Sequence, residues 1–355
     1  MGYLVFALTV LFLPFLPAGA TVPRWGLLAV AVPAIVLWKN VSVPAGAWAL
    51  ATYVTVTLLL SGATYSGMSD YCLFWILLGA FCVGRAQLDL KPVFIGAALG
   101  LWANSVAIIL AKIGAIDLPH TSAHPTLFMN ENSSVEAAAV VVVALVVYRL
   151  WWLLPGLLPT LFLGERAPVL ALGAVGCVAF WRKSKLGAVA CVVAATLFIG
   201  YMWLSDRFHI STWEDRLSVW RDVIPNLTVL GHGIGSFAFD FSALQVHTNA
   251  LTIRYDHPHS EPLQIIYEFG VVGVLFIALL VRRMGRLEPD AAWYALAVFL
   301  VEGCFSFPLY MPVTGFLAAL CAGYISRPGA ALRLHVLAVR RGLQNWHGRA
   351  PHRAF

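Results

Sequence analysis

The chain is poor in charge. Only 11% of its 355 residues are Asp, Glu, Lys or Arg, whereas 60% are hydrophobic. A soluble domain carries about 25% charged residues. That shortage excludes an ordinary water-soluble enzyme and points to helices that satisfy their own backbone in lipid. Other features are missing as well. No basic stretch precedes the first apolar run, and a second run follows at once, so Met1 to Ala20 reads as a first span and not as a cleaved signal. The six cysteines (Cys72, Cys82, Cys177, Cys191, Cys304 and Cys321) lie inside apolar runs without metal-ligand spacing, and read as small buried hydrophobes. There is no Asp-x-Asp text, the usual carboxylate pair of a metal-dependent nucleotide-sugar enzyme.

What is there is mostly membrane span. A crossing helix needs about 20 apolar residues. Candidates fall at 4–20, 25–38, 45–61, 70–84, 93–113, 134–148, 151–163, 168–181, 185–204, 263–281, 291–307 and 311–325. The expectation is an all-α integral membrane protein of about 12 transmembrane helices. Segments 151–163 and 168–181 are short enough to be broken helices or a hairpin. Residues 1–325 form one membrane domain and 326–355 a basic tail. With both termini in the cytoplasm, inner segments hold 16 of the 23 basic residues. The short outer loops then hold only Arg24, Lys112 and Arg166. The +6 net charge is accounted for by these helix ends, not by nucleic acid. The tail, with Leu332, Val336, Leu337 and Leu343 at helical spacing, suits an anionic lipid surface.

One long polar stretch, 205–262, breaks the apolar pattern and is expected on the outer side. Ser211-Thr-Trp-Glu214 is a capping-box pattern opening a helix over 212–224, stopped near Pro225. Trp213, Leu217, Trp220 and Ile224 share one face of that helix, flanked by Arg216 and Arg221. Both arginines can equally be solvated or snorkelling side chains. Gly231-His-Gly-Ile-Gly-Ser-Phe237 has no preceding strand and is not a dinucleotide fingerprint. Its glycines permit a tight turn whose exposed N–H groups can receive an anion or simply redirect the chain. His257-Pro-His259-Ser-Glu261 leads straight into a span. Alternating His-x-His-x-Glu can ligate a metal. No third and fourth ligand lies nearby, and a general base or a donor to phosphate is the stronger reading of His259. Glu165-Arg166 occupies a tight outer connection, and Glu268 and Glu302 lie inside spans, where carboxylates are functional candidates.

These texts resemble the O-antigen ligase / O-antigen polymerase family. The resemblance rests on Arg216 with Trp220, on Gly231, Gly233, Gly235 and Phe237, and on His259-Ser-Glu-Pro-Leu-Gln264. It extends to Glu268-Phe-Gly270-Val-Val-Gly273 and to Phe128-Met-Asn130-Glu-Asn132. The family's Ser-Arg-Gly text falls on Glu165-Arg166-Ala167, which lacks both Ser and Gly. The resemblance covers most of residues 120–280. It implies transfer of a glycan from undecaprenyl diphosphate to an acceptor hydroxyl, on a sugar or on lipid A-core. The setting would be the periplasmic face of the bacterial inner (cytoplasmic) membrane, with no cofactor and no metal. It implies His259, Arg216 and Arg166 as catalytic residues, and Arg221, Arg254, His257 and Glu261 as substrate-binding ones. Arginine forks suit a diphosphate leaving group through bidentate hydrogen bonds. Protein O-oligosaccharyltransferases carry the same texts. A transporter or flippase of a lipid-linked glycan is the rival class, for which polar groups at mid-membrane and at both mouths are expected.

Overall fold

The computed structural model describes residues 1–11, 21–61, 67–86, 89–118, 126–128, 131–163, 166–181, 184–204, 211–247 and 256–327. Among these the protein is all-helical, without strands. In chain order the helices are α1 (Gly2–Val10), α2 (Thr21–Trp38), α3 (Ala45–Leu60), α4 (Met68–Arg85), α5 (Lys91–Lys112), α6 (Glu131–Val147) and α7 (Leu158–Leu161). They continue with α8 (Arg166–Trp181), α9 (Lys185–Leu204), α10 (Ser211–Val223), α11 (Ser236–Leu244), α12 (Glu261–Gly285), α13 (Ala291–Gly303) and α14 (Pro312–Ile325). Proline punctuates them: Pro44 is the N-cap of α3, and Pro92, Pro262 and Pro312 sit in the first turns of α5, α12 and α14, where a missing N–H costs nothing.

Among the described residues three helices, α4, α5 and α12, are long and apolar enough to cross a membrane, and seven more are apolar but shorter. The expectation of about twelve spans goes beyond this. One candidate span is a broken segment, as its short length allowed. Residues 151–163 form no continuous helix but two 3₁₀ turns, Trp151–Leu153 and Pro155–Leu157, followed by the single turn α7. Pro155, Gly156 and Pro159 break the run. The broken segment is held by the Trp102 indole, which donates to the Leu153 carbonyl at 2.7 Å.

The main core joins α1 to α5, α4 to α14 and α6 to α13, around Phe94, Leu101, Val140, Phe316 and Leu317. Arg24 is not a loop charge. It lies in α2, is 1% exposed, and donates to the carbonyls of Thr9 (2.8 Å), Leu11 (3.1 Å) and Leu127 (2.9 Å). Its guanidinium also covers the Phe128 ring at 4.1 Å. A buried guanidinium is tolerated only when its donors are satisfied in this way, and these contacts fix the start of the Phe128 text. Cys82 and Cys321 are buried as expected, but Cys72 and Cys304 are exposed. The basic tail beyond Arg327, the segment 248–255 with Arg254, and Asn130, Glu165, Arg182 and Lys183 lie outside the described residues.

Candidate functional site

The site is built on a break in α12. Gly270 has φ 54° and ψ −134°, outside helical values, in the middle of that helix. The broken turn exposes backbone groups, and the segment 229–233 pairs with them. His232 N–H donates to the Tyr267 carbonyl (3.0 Å), Gly233 N–H to that of Glu268 (2.9 Å), and Val271 N–H to that of Val229 (2.9 Å). The Tyr53 hydroxyl bridges the carbonyls of Leu230 (2.9 Å) and Phe269 (3.1 Å). Gly231 and Gly270 are required where the strands of chain cross. A Cβ on Gly231 would stand 2.3 Å from the Glu268 carbonyl oxygen, and one on Gly270 2.1 Å from that of Val229.

The glycine motif receives a carboxyl group, and it is the protein's own. Gly235, with φ 71°, is the N-cap of α11. The N–H groups of Gly235 and Phe237 donate to the Glu268 carboxyl. Helix N-terminal N–H groups are suited to that task. Glu268 is 2% exposed and also accepts from Gln264 Nε2 at 3.1 Å.

Helix α10 runs Ser211–Val223, close to the expected range, and ends in a 3₁₀ turn around Pro225. Its buried face is the one carrying Val219 and Val223, not the Leu217–Ile224 stripe. Leu217 and Ile224 are exposed, at 44% and 55%, while Val219 and Val223 are fully buried. Val219 and Val223 pack with Phe237, Phe241 and Tyr267, and Trp220 lies against them. Asp222 can share this face because hydrogen bonds satisfy its carboxylate. It accepts from the His247 backbone N–H at 2.9 Å and pairs with His247 Nδ1 at 2.6 Å. His232 is likewise structural, with Nε2 2.9 Å from the Asn226 carbonyl and its ring stacked on Tyr267 at 4.3 Å.

The face of α10 that carries Arg216 and Trp220 meets the loop 256–260. The Trp220 indole donates to the Pro258 carbonyl at 2.8 Å. Pro258 separates the two histidines of interest. The His257 ring stacks on Phe307 (4.7 Å) and lies tilted against Tyr310 (4.2 Å), and its Nδ1 lies 3.2 Å from Gln264 Oε1. The His259 ring lies against Phe307 at 5.3 Å, and its backbone has φ 51°. Phe307 and Tyr310 come from the connection between α13 and α14, whose 3₁₀ turn is Pro308–Tyr310.

Electrostatics join Arg216 to this cluster. Burial pushes the His259 imidazole down to about 4, with the nearby Arg216 charge and then His257 acting in the same direction. Burial also lowers His257, opposed by its hydrogen bond to Gln264. Both rings are therefore neutral at neutral pH. A neutral imidazole accepts a proton, and an adjacent guanidinium binds an anionic group.

The expected site residues thus separate. Arg216, His257 and His259 come together. Glu261, 5% exposed, is turned inward: one oxygen accepts from Leu309 N–H at 2.7 Å and the side chain lies along Gly303. It ties the start of α12 to the Pro308–Tyr310 turn. Arg221 is exposed on α10. Arg166 is half-buried at the first residue of α8, which packs on α6, α9 and α13. Deeper in the bundle, Ser306 donates to Glu136, and Glu302 is fully buried with neither carboxyl oxygen hydrogen-bonded. Among the described residues, no three His, Cys, Asp or Glu side chains converge as metal ligands. Sequence reading missed Gln264 as a contact of His257, and Phe307 and Tyr310 as its ring partners. Their only signal was an aromatic-rich text, Phe305-Ser-Phe-Pro-Leu-Tyr310, between two spans. No known protein family, curated protein or solved structure matches the chain.

Proposed function

We propose that the protein is a membrane glycosyltransferase. It would move a glycan from undecaprenyl diphosphate to an acceptor hydroxyl at the outer face of a bacterial inner membrane, as an O-antigen ligase or an O-antigen or exopolysaccharide polymerase. The observation that supports this reading best is Arg216 beside a neutral His259, on elements joined by the Trp220–Pro258 hydrogen bond. In the proposed reaction the acceptor oxygen attacks the anomeric carbon, and the bond from that carbon to the diphosphate oxygen breaks. The acceptor proton passes to His259 and the diphosphate leaves with its negative charge. Arg216 supplies a preorganised cation where that charge develops, an effect worth several kcal/mol in a site with little water. Arg166 is proposed to face the same group.

Purified protein incubated with an undecaprenyl-diphosphate-linked oligosaccharide should transfer the glycan to sugar or lipid A-core acceptors. It should do so in the presence of a chelator, since neither role assigned above needs a metal. Transfer abolished by EDTA and restored by one divalent ion would overturn the metal-free chemistry. Buried Glu136 and Glu302 favour a second reading, a transporter of the same lipid-linked glycan. Proteoliposomes that move the lipid-linked glycan between leaflets without transferring it would establish that reading instead.

A further inference from the structure

The hydrogen bonds below the histidine loop form one chain from Glu268 through Gln264 to His257. The Glu268 carboxyl receives the N–H groups of Gly235 and Phe237 from the glycine motif. Gln264 Nε2 lies 3.1 Å from Glu268 Oε1 and 2.6 Å from the Tyr310 hydroxyl. An amide nitrogen has two hydrogens and no lone pair to offer, so both are used here. The amide lies with Nε2 toward Glu268 and Tyr310 and with Oε1 toward His257. That oxygen can only accept, and His257 Nδ1 is 3.2 Å from it. Nδ1 must then carry the hydrogen, which in a neutral ring leaves the lone pair on Nε2. Phe307 and Tyr310 hold the ring plane in place. Gln264 is 2% exposed and Glu268 likewise, so bulk water does not compete for these bonds. His257 Nε2 has no hydrogen-bond partner among the described residues.

We infer that Gln264, oriented by Glu268 and Tyr310, is a positioning residue that holds His257 in its Nδ1–H tautomer and presents Nε2 as a fixed acceptor for a hydroxyl of the incoming sugar. The role given to the hydroxyl rests on the glycosyltransferase reading; the tautomer does not. On this account the glycine motif acts on the reaction at a distance. It fixes Glu268, Glu268 fixes the amide, and the amide fixes the imidazole. His257 and His259 then offer two neutral acceptor nitrogens, one to bind the acceptor and one to take its proton.

The test is ¹⁵N NMR of histidine-labelled full-length protein in nanodiscs, without substrate, with the His257 signals assigned from a His257→Gln variant. Wild type should show a protonated Nδ1 and an unprotonated Nε2. Gln264→Leu should lose that preference, and so should Glu268→Leu. Glu268→Gln, which keeps a carbonyl for the Gln264 amide, should retain it. Tyr310→Phe, which keeps the ring on His257, should also retain it in large part. In the transfer assay Gln264→Leu should raise KM for the acceptor by about ten- to a hundredfold, with KM for the lipid-linked donor unchanged. A wild-type His257 protonated on Nε2, or a tautomer unmoved in Gln264→Leu, would overturn the inference even if transfer is observed. The expected tautomers with no transfer by wild-type protein would overturn the glycosyltransferase reading and the hydroxyl's role. They would leave the Gln264–His257 coupling in place. Gln264→Leu variants that shift the tautomer yet keep the acceptor KM would overturn the assignment of His257 to the acceptor.

Discussion

The Trp220 indole N–H donates to the Pro258 carbonyl at 2.8 Å, across 38 residues of chain. This bond connects α10, which carries Arg216, to the loop that carries both His257 and His259. An indole N–H can only donate, and a proline carbonyl can only accept, so the pairing has one polarity.

Replacing Trp220 with Phe keeps most of the ring and removes only the donor. Pro258 is buried, so its carbonyl loses a bond worth about 1 kcal/mol and is left unsatisfied. Amide exchange should quicken in 211–223 and 256–260 together, and the transfer rate should fall by a corresponding few-fold to tenfold. Unchanged exchange in both segments would show that α10 is held by its apolar face alone.

Arg216 and His259 can be separated by charge. Arg216→Ala removes the cation that helps to depress the His259 pKa, so the imidazole should titrate above its wild-type value of about 4. Arg216→Lys should keep the low value, because it keeps the charge. Both variants should lose most transfer, since a lysine cannot grip a diphosphate through a bidentate fork. Histidine NMR titration reads the first effect and the transfer assay the second. The wild-type sign follows from the depressed value: the folded protein resists protonation of His259, so stability contributed through this group falls as pH drops from about 6.5 toward 4. A His259 titration unmoved by Arg216→Ala would break the link between the two side chains.

His259 has φ 51°, a left-handed conformation that Asn tolerates better than Ala. Ser260, and not His259, occupies the N-cap of α12. His259→Asn should therefore fold with near-native stability yet lose transfer by about a hundredfold or more, as expected for a lost acid–base group. His259→Ala should lose activity similarly and also melt lower, by an amount matching about 1 kcal/mol of backbone strain. Transfer by His259→Asn at the wild-type rate would remove His259 from the chemistry.

Gly270→Ala should be the most damaging single-methyl change in α12. The positive φ at ψ −134° is a glycine conformation, and the new Cβ would fall 2.1 Å from the Val229 carbonyl oxygen. Strain and overlap together should cost about 3 kcal/mol or more. Gly285→Ala, at the other end of the same helix, meets nothing within 4 Å and should be neutral. Equal melting temperatures for the two variants in detergent would show that the break is not obligatory.

Much of the helical layout was legible in the apolar runs, and prolines marked several helix starts. The limits of α10 were legible too, from its polar start and Pro225. Its buried face was not. Trp213, Leu217, Trp220 and Ile224 form the more hydrophobic stripe, but the chain buries Val219, Asp222 and Val223, because His247 satisfies Asp222 from 25 residues away. The site failed to show itself for the same reason. Arg216 and the histidines could be singled out by residue type, whereas the partners that aim them, Phe307 and Tyr310, arrive from a connection two helices later. The break in 151–163 was legible as a possibility from its short length, and two prolines and a glycine interrupt the run where the helix fails.

The length of α12 sets the depth of this machinery. Arg282 and Arg283 mark its last turn, and charged side chains of that kind settle at the edge of the apolar slab. Glu268 lies 14 residues before Arg282, about 21 Å at 1.5 Å per residue, while the apolar slab is about 30 Å thick. Any tilt of the helix shortens this rise along the membrane normal and leaves Glu268 further below the opposite edge. On this spacing Glu268 falls about 9 Å inside the opposite edge of the slab, and Gln264, 18 residues before Arg282, falls near that edge. An unsatisfied amide or carboxyl at that depth would be far more costly than at the surface. The glycine motif lets the segment 229–237 reach them, so that the polar floor of the site is packed against the protein's own backbone.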